Sequence, residues 1–315
     1  MRSIITILCL FLACTKPFCQ DNPENALDFF LPGFSDQQIS VRDFALSPGG
    51  DEIYFSVESV KKNISLIVFS KKGKSGWSPA EVVHFSGQYR DIEPSFSPDG
   101  NHLYFASNRP LDPAAQGPKD YDIWMVHRNN PSDKWSEPEN PGFPVNSEQD
   151  EFYPSITNSG NLYFTSTLKD SKGREDIYVC KFEAGKYLPA ESLSTSINTA
   201  AYEFNAWVAP DESLIIFSSY GREDGNGGGD LYYSTRDEYG KWRHALNLGL
   251  PINSSKLDYC PFYDLNTQTL YFTSERSAVK EYYSEKLSFE AFRKEVTQSE
   301  NGLGRIYRIP FKFEH

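Results

Sequence analysis

The sequence predicts an all-β ring of repeated sheets, and three observations carry that expectation. A segment of two strand-like runs joined by a Pro/Asp/Gly turn occurs five times, with its clearest copy, DIEPSFSPDGNHLYFASNR, at Asp91 to Arg109. The second run of each copy carries a Phe at 55, 105, 164, 217 or 272, so the spacings are 50, 59, 53 and 55 residues. That period fits one four-stranded unit with its loops. A unit of this size cannot bury its own apolar face, so five of them within 315 residues argue for one closed ring rather than two ordinary domains. The expected fold is a β-propeller of five four-stranded blades closed by an N-terminal strand. Six blades is the alternative, if the poorly patterned stretch from Ala278 to Gln298 held a further repeat; it reads instead as a polar insertion with some helical character.

Taken in chain order, residues 1–20 read as a signal peptide. Arg2 precedes an apolar run from Ile4 to Ala13, long enough for a signal h-region and too short to span a bilayer. Cleavage after Cys19 or Gln20 leaves one mature domain, 21–315; acylation of Cys14 as an outer-membrane lipoprotein is the alternative, although Phe11 and Leu12 fit a lipobox poorly. The expected location is periplasmic or secreted. Of the five cysteines, Cys180 and Cys260 then remain. The repeat register puts them in non-adjacent blades, beyond bridging distance, so both are expected as free, buried thiols.

Each blade parses into strands a to d. Strand a is short and follows an acid: Phe44 to Ser47, Ser95 to Ser97, Ser155 to Thr157, Ala206 to Ala209 and Phe262 to Asp264. A tight turn follows, such as Pro98-Asp99-Gly100-Asn101, with residues that supply hairpin dihedrals. Strand b alternates, as in Leu103-Tyr104-Phe105-Ala106-Ser107. Strand c is the Asp-Ile/Leu-Tyr/Trp run at Asp122, Asp176 and Asp230, with weaker copies at Ser65 and Arg305. Strand d follows a Trp- or Tyr-led turn at Trp77, Trp135, Tyr187 or Trp242, and the later connections end in Val145-Asn146-Ser147, Ile197-Asn198-Thr199 and Ile252-Asn253-Ser254. The fifth unit reaches only strand c before His315, while Leu27-Asp28-Phe29-Phe30-Leu31 has no place in any repeat. The N-terminal run is therefore expected to supply the missing strand, removing an exposed sheet edge.

SFSPDGNHLYFASNR, NSEQDEFYPSITNSGNLYFTS, GNGGGDLYYS and DKWSEPENPG are similar to the TolB-type, WD-like β-propeller repeats common in exported proteins of Bacteroidota. The resemblance covers about Arg42 to Phe313. It implies the propeller fold and leaves activity open, because such repeats serve binding proteins and lids of unrelated enzymes alike. The turn signature is complete only in the second unit; the first reads Ser47-Pro48-Gly49-Gly50 and the fifth Asp264-Leu265-Asn266-Thr267.

The charge balance narrows the partners. Without Arg2 and Lys16 the chain has 29 basic and 43 acidic residues, a net of −14, and no Lys/Arg-rich run. A nucleic-acid or anionic-membrane surface is not expected. Aligning the repeats puts Asp91, Glu151, Glu203 and Asp258 in one column ahead of strand a, with Asp43 and Glu93 in the neighbouring column. These six are the candidate channel-mouth residues. They could gather as a negative mouth for a cation or for sugar hydroxyls, with Tyr89, Tyr153, Tyr202 and Tyr259 beside them for stacking. Equally, each could cap backbone amides of the next blade, since recurrence in every unit is what scaffolding predicts. The Asp of strand c with Arg109, Arg222 and Arg276 reads as loop-tying ion pairs.

Glu223 to Asp230 lacks the Gly-Lys-Ser/Thr of a phosphate loop. Asp224, Asn226 and Asp230 are spaced as weak calcium candidates, but Thr235 stands where an EF-hand needs its Glu; a flexible b-to-c loop is the plainer reading. His84, His102, His127, His244 and His315 form no metal-binding pair, and Gly-x-Ser-x-Gly is absent. The expected function is a non-catalytic, monomeric binding or scaffolding module of the cell envelope, with an envelope protein or a glycan as partner and no cofactor. The alternative is a carbohydrate-active hydrolase or lyase working through the rim carboxylates, as in five-bladed glycosidases.

Overall fold

The computed structural model describes residues 27–31, 34, 39–112, 114–115 and 117–313. The expected signal segment and Cys14 lie outside these. Five antiparallel sheets follow one another around a central channel as a five-bladed propeller. From the channel outward, blade I is Ser40–Leu46, Glu52–Glu58, Ser65–Gly73 and Glu81–Val82. Blade II is Asp91–Phe96, His102–Ser107 and Asp122–His127, with its fourth position reduced to one bridge between Met125 and Glu139. Blade III is Glu151–Ile156, Leu162–Ser166, Asp176–Cys180 and Glu191–Ser192; blade IV is Tyr202–Val208, Leu214–Tyr220, Asp230–Thr235 and Leu246–Asn247. Blade V takes Asp258–Asp264, Thr269–Ser274 and Arg305–Pro310 from the C-terminal end and Asp28–Phe29 from the N-terminal end.

The closure is the expected one. Asp28 and Phe29 pair with Arg308 and Tyr307, and the Phe30 amide donates to the Ile306 carbonyl at 2.9 Å. The insertion in the last blade carries one short helix, α1 (Phe289–Val296), capped by the Ser288 side chain, and adds no sixth blade.

The recurrent Phe explains why the repeats hold together. Phe55, Phe105, Phe164, Phe217 and Phe272 are all fully buried, and each belongs to a different core cluster shared with the preceding blade. The core is thus five inter-blade seams, and no blade has a core of its own. The Trp/Tyr-led turns reinforce them: Trp135 packs into the seam between blades I and II and donates to the Tyr54 hydroxyl at 2.9 Å.

Strand a starts earlier than the alternation predicts. In all five blades it runs through a β-bulge, between Arg42 and Ala45, Ile92 and Ser95, Phe152 and Ser155, Phe204 and Trp207, and Tyr259 and Phe262. The bulge breaks the period of two, so a pattern reading finds only the part beyond it. Asp91, Glu151 and Asp258 are therefore the first residues of their strands and Glu203 the second, not residues that precede them. Cys180 and Cys260 are free and buried in blades III and V, as expected.

Candidate functional site

The repeated carboxylates are consumed inside the blades. Asp91 accepts from the hydroxyls of Ser86 (2.7 Å) and Ser107 (2.6 Å) and from Arg109 (2.6 Å). Glu203 accepts from the amide and hydroxyl of Thr199, both at 2.8 Å, and from Ser219 and Arg222. Asp258 does the same with Ser254 and Arg276, and Glu151 with Ser147 and Ser166. All four are completely buried. Arg109, Arg222 and Arg276 also donate to the carbonyls of Phe85, Ile197 and Ile252, so each acid pins an incoming connection to the start of strand a and to the loop after strand b. The arginines therefore pair with the column ahead of the bulge, not with the Asp of strand c. Blade III lacks the arginine, and there burial pushes the Glu151 carboxyl up to about 7.

The Asn of each of the three later connections completes the pin. Asn146, Asn198 and Asn253 accept from the amide and donate to the carbonyl of Ile123, Ile177 and Leu231 on strand c of the preceding blade. A buried side chain here replaces a strand ladder, and every donor is satisfied.

Two residues beyond the pin column, the bulges aim five side chains at the channel axis. Asp43, Glu93, Tyr153, Asn205 and Cys260 all have φ between 51° and 63°, a left-handed conformation costing about 1–2 kcal/mol for a non-glycine residue. Hydroxyls of the preceding blade compensate: the amides of Asp43, Glu93 and Asn205 donate to Thr273, Ser56 and Thr165. Blade II has Ala106 at that position, and the Tyr153 amide turns instead to the Glu93 carboxylate at 2.7 Å. Arg42 reaches Asp43 and Glu93 at 2.6 Å each, and Asn205 donates to Glu93 at 3.2 Å. These residues plug the channel. Beyond the plug remains a cavity of about 20 Å³ lined by Phe44, Glu93, Pro94, Tyr153, Trp207 and Phe262, room for about one water.

The plug holds one cation, Arg42, between two carboxylates, Asp43 and Glu93. Burial pushes Glu93 up to about 8, with Arg42 opposing and Asp43 adding to the shift; Tyr153, Tyr259 and Cys260 also surround the pair. A carboxyl raised in the folded state binds its proton more tightly there, so its stabilisation is present below the ordinary range near 4.5 and is lost as pH rises to about 8. Glu93→Gln is expected to flatten that decline in melting temperature between pH 5 and 8, measured against the parent chain. A parallel decline in both proteins rules Glu93 out as its source.

Blade I breaks the repeat. Its pin column holds Val41 opposite Val57 instead of an acid opposite Ser, while its channel-side row carries Arg42 and Glu58. Above the plug, Glu58 (2% exposed) lies 3.7 Å from Arg90, whose guanidinium sits over the Tyr121 ring at 5.4 Å. Tyr121 packs on Phe152, and Arg42 sits over Tyr259. Both Glu58 oxygens, Ser65 Oγ, Arg90 Nε and the hydroxyls of Tyr121 and Tyr259 are buried with no hydrogen-bond partner. The column argument could not find this set, because Arg42, Ser65, Arg90 and Tyr121 depart from the residues at their positions in the other blades.

The remaining candidates are local. Tyr153 and Tyr259 are buried, Tyr89 and Tyr202 half-buried, so the four do not form an exposed row. Asp224 accepts from the Tyr232 hydroxyl, and Asp230 from the Asn226 amide and Asn247. The glycines of that loop meet the next connection: a Cβ at Gly227 would stand 2.4 Å from the Ser255 carbonyl oxygen. Among the described residues no group of three or more His, Cys, Asp or Glu is placed to hold a metal, and no helix is long and apolar enough to cross a membrane.

No family model matches the chain, and no curated protein is significantly similar to it. Solved structures do match. An endo-arabinase from Bacteroides thetaiotaomicron is 12% identical over 91% of this chain and 98% of its own, with a TM-score of 0.53. A glycoside hydrolase is 9% identical over 91% of both chains, also at 0.53. A protein assigned as TolB from Agrobacterium tumefaciens is 13% identical over 87% of this chain and 91% of its own, at 0.47. At such identities the likeness is one of fold alone.

Proposed function

We propose that the chain is an exported binding or scaffolding module of the cell envelope that engages a glycan or an envelope protein at the channel mouth and does not turn it over. The observation that supports this reading is the fate of the carboxylates. Glycoside hydrolysis needs two carboxyl groups flanking a substrate-sized space, roughly 5–10 Å apart. Four of the acids supplied by the repeat are buried in pins, and Asp43 and Glu93 are clamped by one arginine over a cavity of about 20 Å³. What the mouth offers instead is aromatic surface beside unpartnered polar groups, a recognition chemistry.

The test is incubation of the purified chain with arabinan, pectic galactan and envelope extract. Retention of a polysaccharide or a stoichiometric envelope protein without new reducing ends is the expected result. Release of reducing sugar that Asp43→Asn or Glu93→Gln abolishes overturns the non-catalytic reading.

A further inference from the structure

Of the eleven buried side-chain polar atoms without a hydrogen-bond partner among the described residues, five belong to Glu58, Ser65, Arg90 and Tyr121, which meet at one mouth, and mark a place where something polar is missing. Buried polar groups in folded proteins are normally satisfied; the other six lie one each on Glu52, Asp122, Trp124, Ser218, Asp230 and Tyr259, spread over blades I, II, IV and V. The unsatisfied set sits at the symmetry break: Glu58 and Ser65 face each other across strands b and c of blade I, with Arg90 and Tyr121 of blade II against them. We propose that this cluster opens to take hydroxyl groups at one end of a neutral saccharide, with Glu58 accepting, Arg90 donating, Ser65 and Tyr121 doing either, and the Tyr121 and Phe152 rings against the sugar face. This deepens the proposed function and rests on it.

The chemistry selects the ligand class by elimination. A divalent cation suits Glu58 but not a guanidinium 3.7 Å from that carboxylate, and a phosphate or carboxylate suits Arg90 but meets Glu58. The pair is formally neutral, so a neutral ligand disturbs it least. Its atoms must both donate to an acceptor-only carboxylate and accept from a donor-only guanidinium, which adjacent hydroxyls do. Aromatic rings nearby favour a sugar over a simple alcohol.

The experiment is calorimetric titration of the purified chain with neutral arabino-, galacto- and gluco-oligosaccharides, and separately with calcium chloride and sodium phosphate. One oligosaccharide class is expected to bind and the two salts not. Glu58→Gln should weaken that binding tenfold or more and Tyr121→Phe severalfold, while both variants melt at or above the parent temperature, since Tyr121→Phe removes an unpartnered hydroxyl and Glu58→Gln removes a buried charge held only by a 3.7 Å ion pair. A purely structural role predicts the opposite, a lowered melting temperature with unchanged binding, and overturns the proposal. So does calcium or phosphate binding that Glu58→Gln alters, or sugar binding that neither variant touches. If no oligosaccharide binds but an envelope protein is retained, this subsite fails and the wider binding function stands; if sugar binds here and is cleaved, the non-catalytic function fails and the subsite stands.

Discussion

A chain shortened to begin after Leu31 is expected to melt about 10 °C or more below the parent and to associate. The segment removed is the outer strand of blade V and the closure of the ring. Phe30 stands edge-on to Tyr271 at 5.2 Å and to Phe44 at 5.7 Å, with Arg308 over its ring, and Phe29 packs on Tyr307. Both rings are half-buried, so each contributes less than the ~3–5 kcal/mol of a fully buried Phe, roughly 2 kcal/mol. At about 2–4 °C per kcal/mol for a domain of this size, losing both already approaches 10 °C. The second consequence does not depend on the rings. Strand c of blade V, Arg305–Pro310, becomes an unpaired edge, a template for another chain. Scanning calorimetry with light scattering checks both effects, and Phe29→Ala/Phe30→Ala separates ring packing from strand loss because it leaves the backbone in place. An unchanged melting temperature in a monomeric truncation would falsify the closure as a stabilising device.

That closure was legible in the sequence for a physical reason: five repeats with one strand short and one unassigned apolar run leave a single arrangement without an open edge. The Phe column was legible because a residue that must fill the same inter-blade seam five times cannot vary much in size. The bulge was not legible. Glu93 and Cys260 sit where the alternation jumps, and nothing about a Glu, Tyr or Cys announces a left-handed residue; at Glu93, Tyr153 and Asn205 the conformation is held by amide hydrogen bonds to side chains of the preceding blade. Arg42 was missed for a related reason. It occupies the position of Ile92, Phe152, Phe204 and Tyr259 in the other blades, and aligning on similarity discards such departures. The acids were found correctly as a column, but a column is compatible with a pin in every blade and with a shared mouth; only the partners of each carboxylate separate the two.

The pin arrangement predicts the largest loss of stability for the double variant Asp91→Asn/Glu203→Gln. Each substitution removes the charge from a fully buried carboxylate while leaving its arginine, Arg109 or Arg222, in place. Breaking a buried pair in this way costs about 3–5 kcal/mol, because a charge is left without compensation. In the Glu203 pin the amide also sets its NH₂ against a donor-only group whichever way it turns, the Thr199 amide on one side or the Arg222 guanidinium on the other. Asp91 opens blade II and Glu203 lies in blade IV, with no shared partner, so the two costs should add. Roughly 6 kcal/mol or more corresponds to a melting temperature lower by at least about 12 °C, if the chain folds at all. Each single variant should show about half of that. Saccharide binding at the blade I and II mouth, measured on whichever single variant stays folded, is expected to match the parent, because neither acid belongs to the unpartnered set. The competing arrangement, a shared negative mouth, predicts the reverse on both counts: relief of like-charge repulsion would hold or raise the melting temperature, and calcium, which should then stabilise the parent, would no longer stabilise the variant.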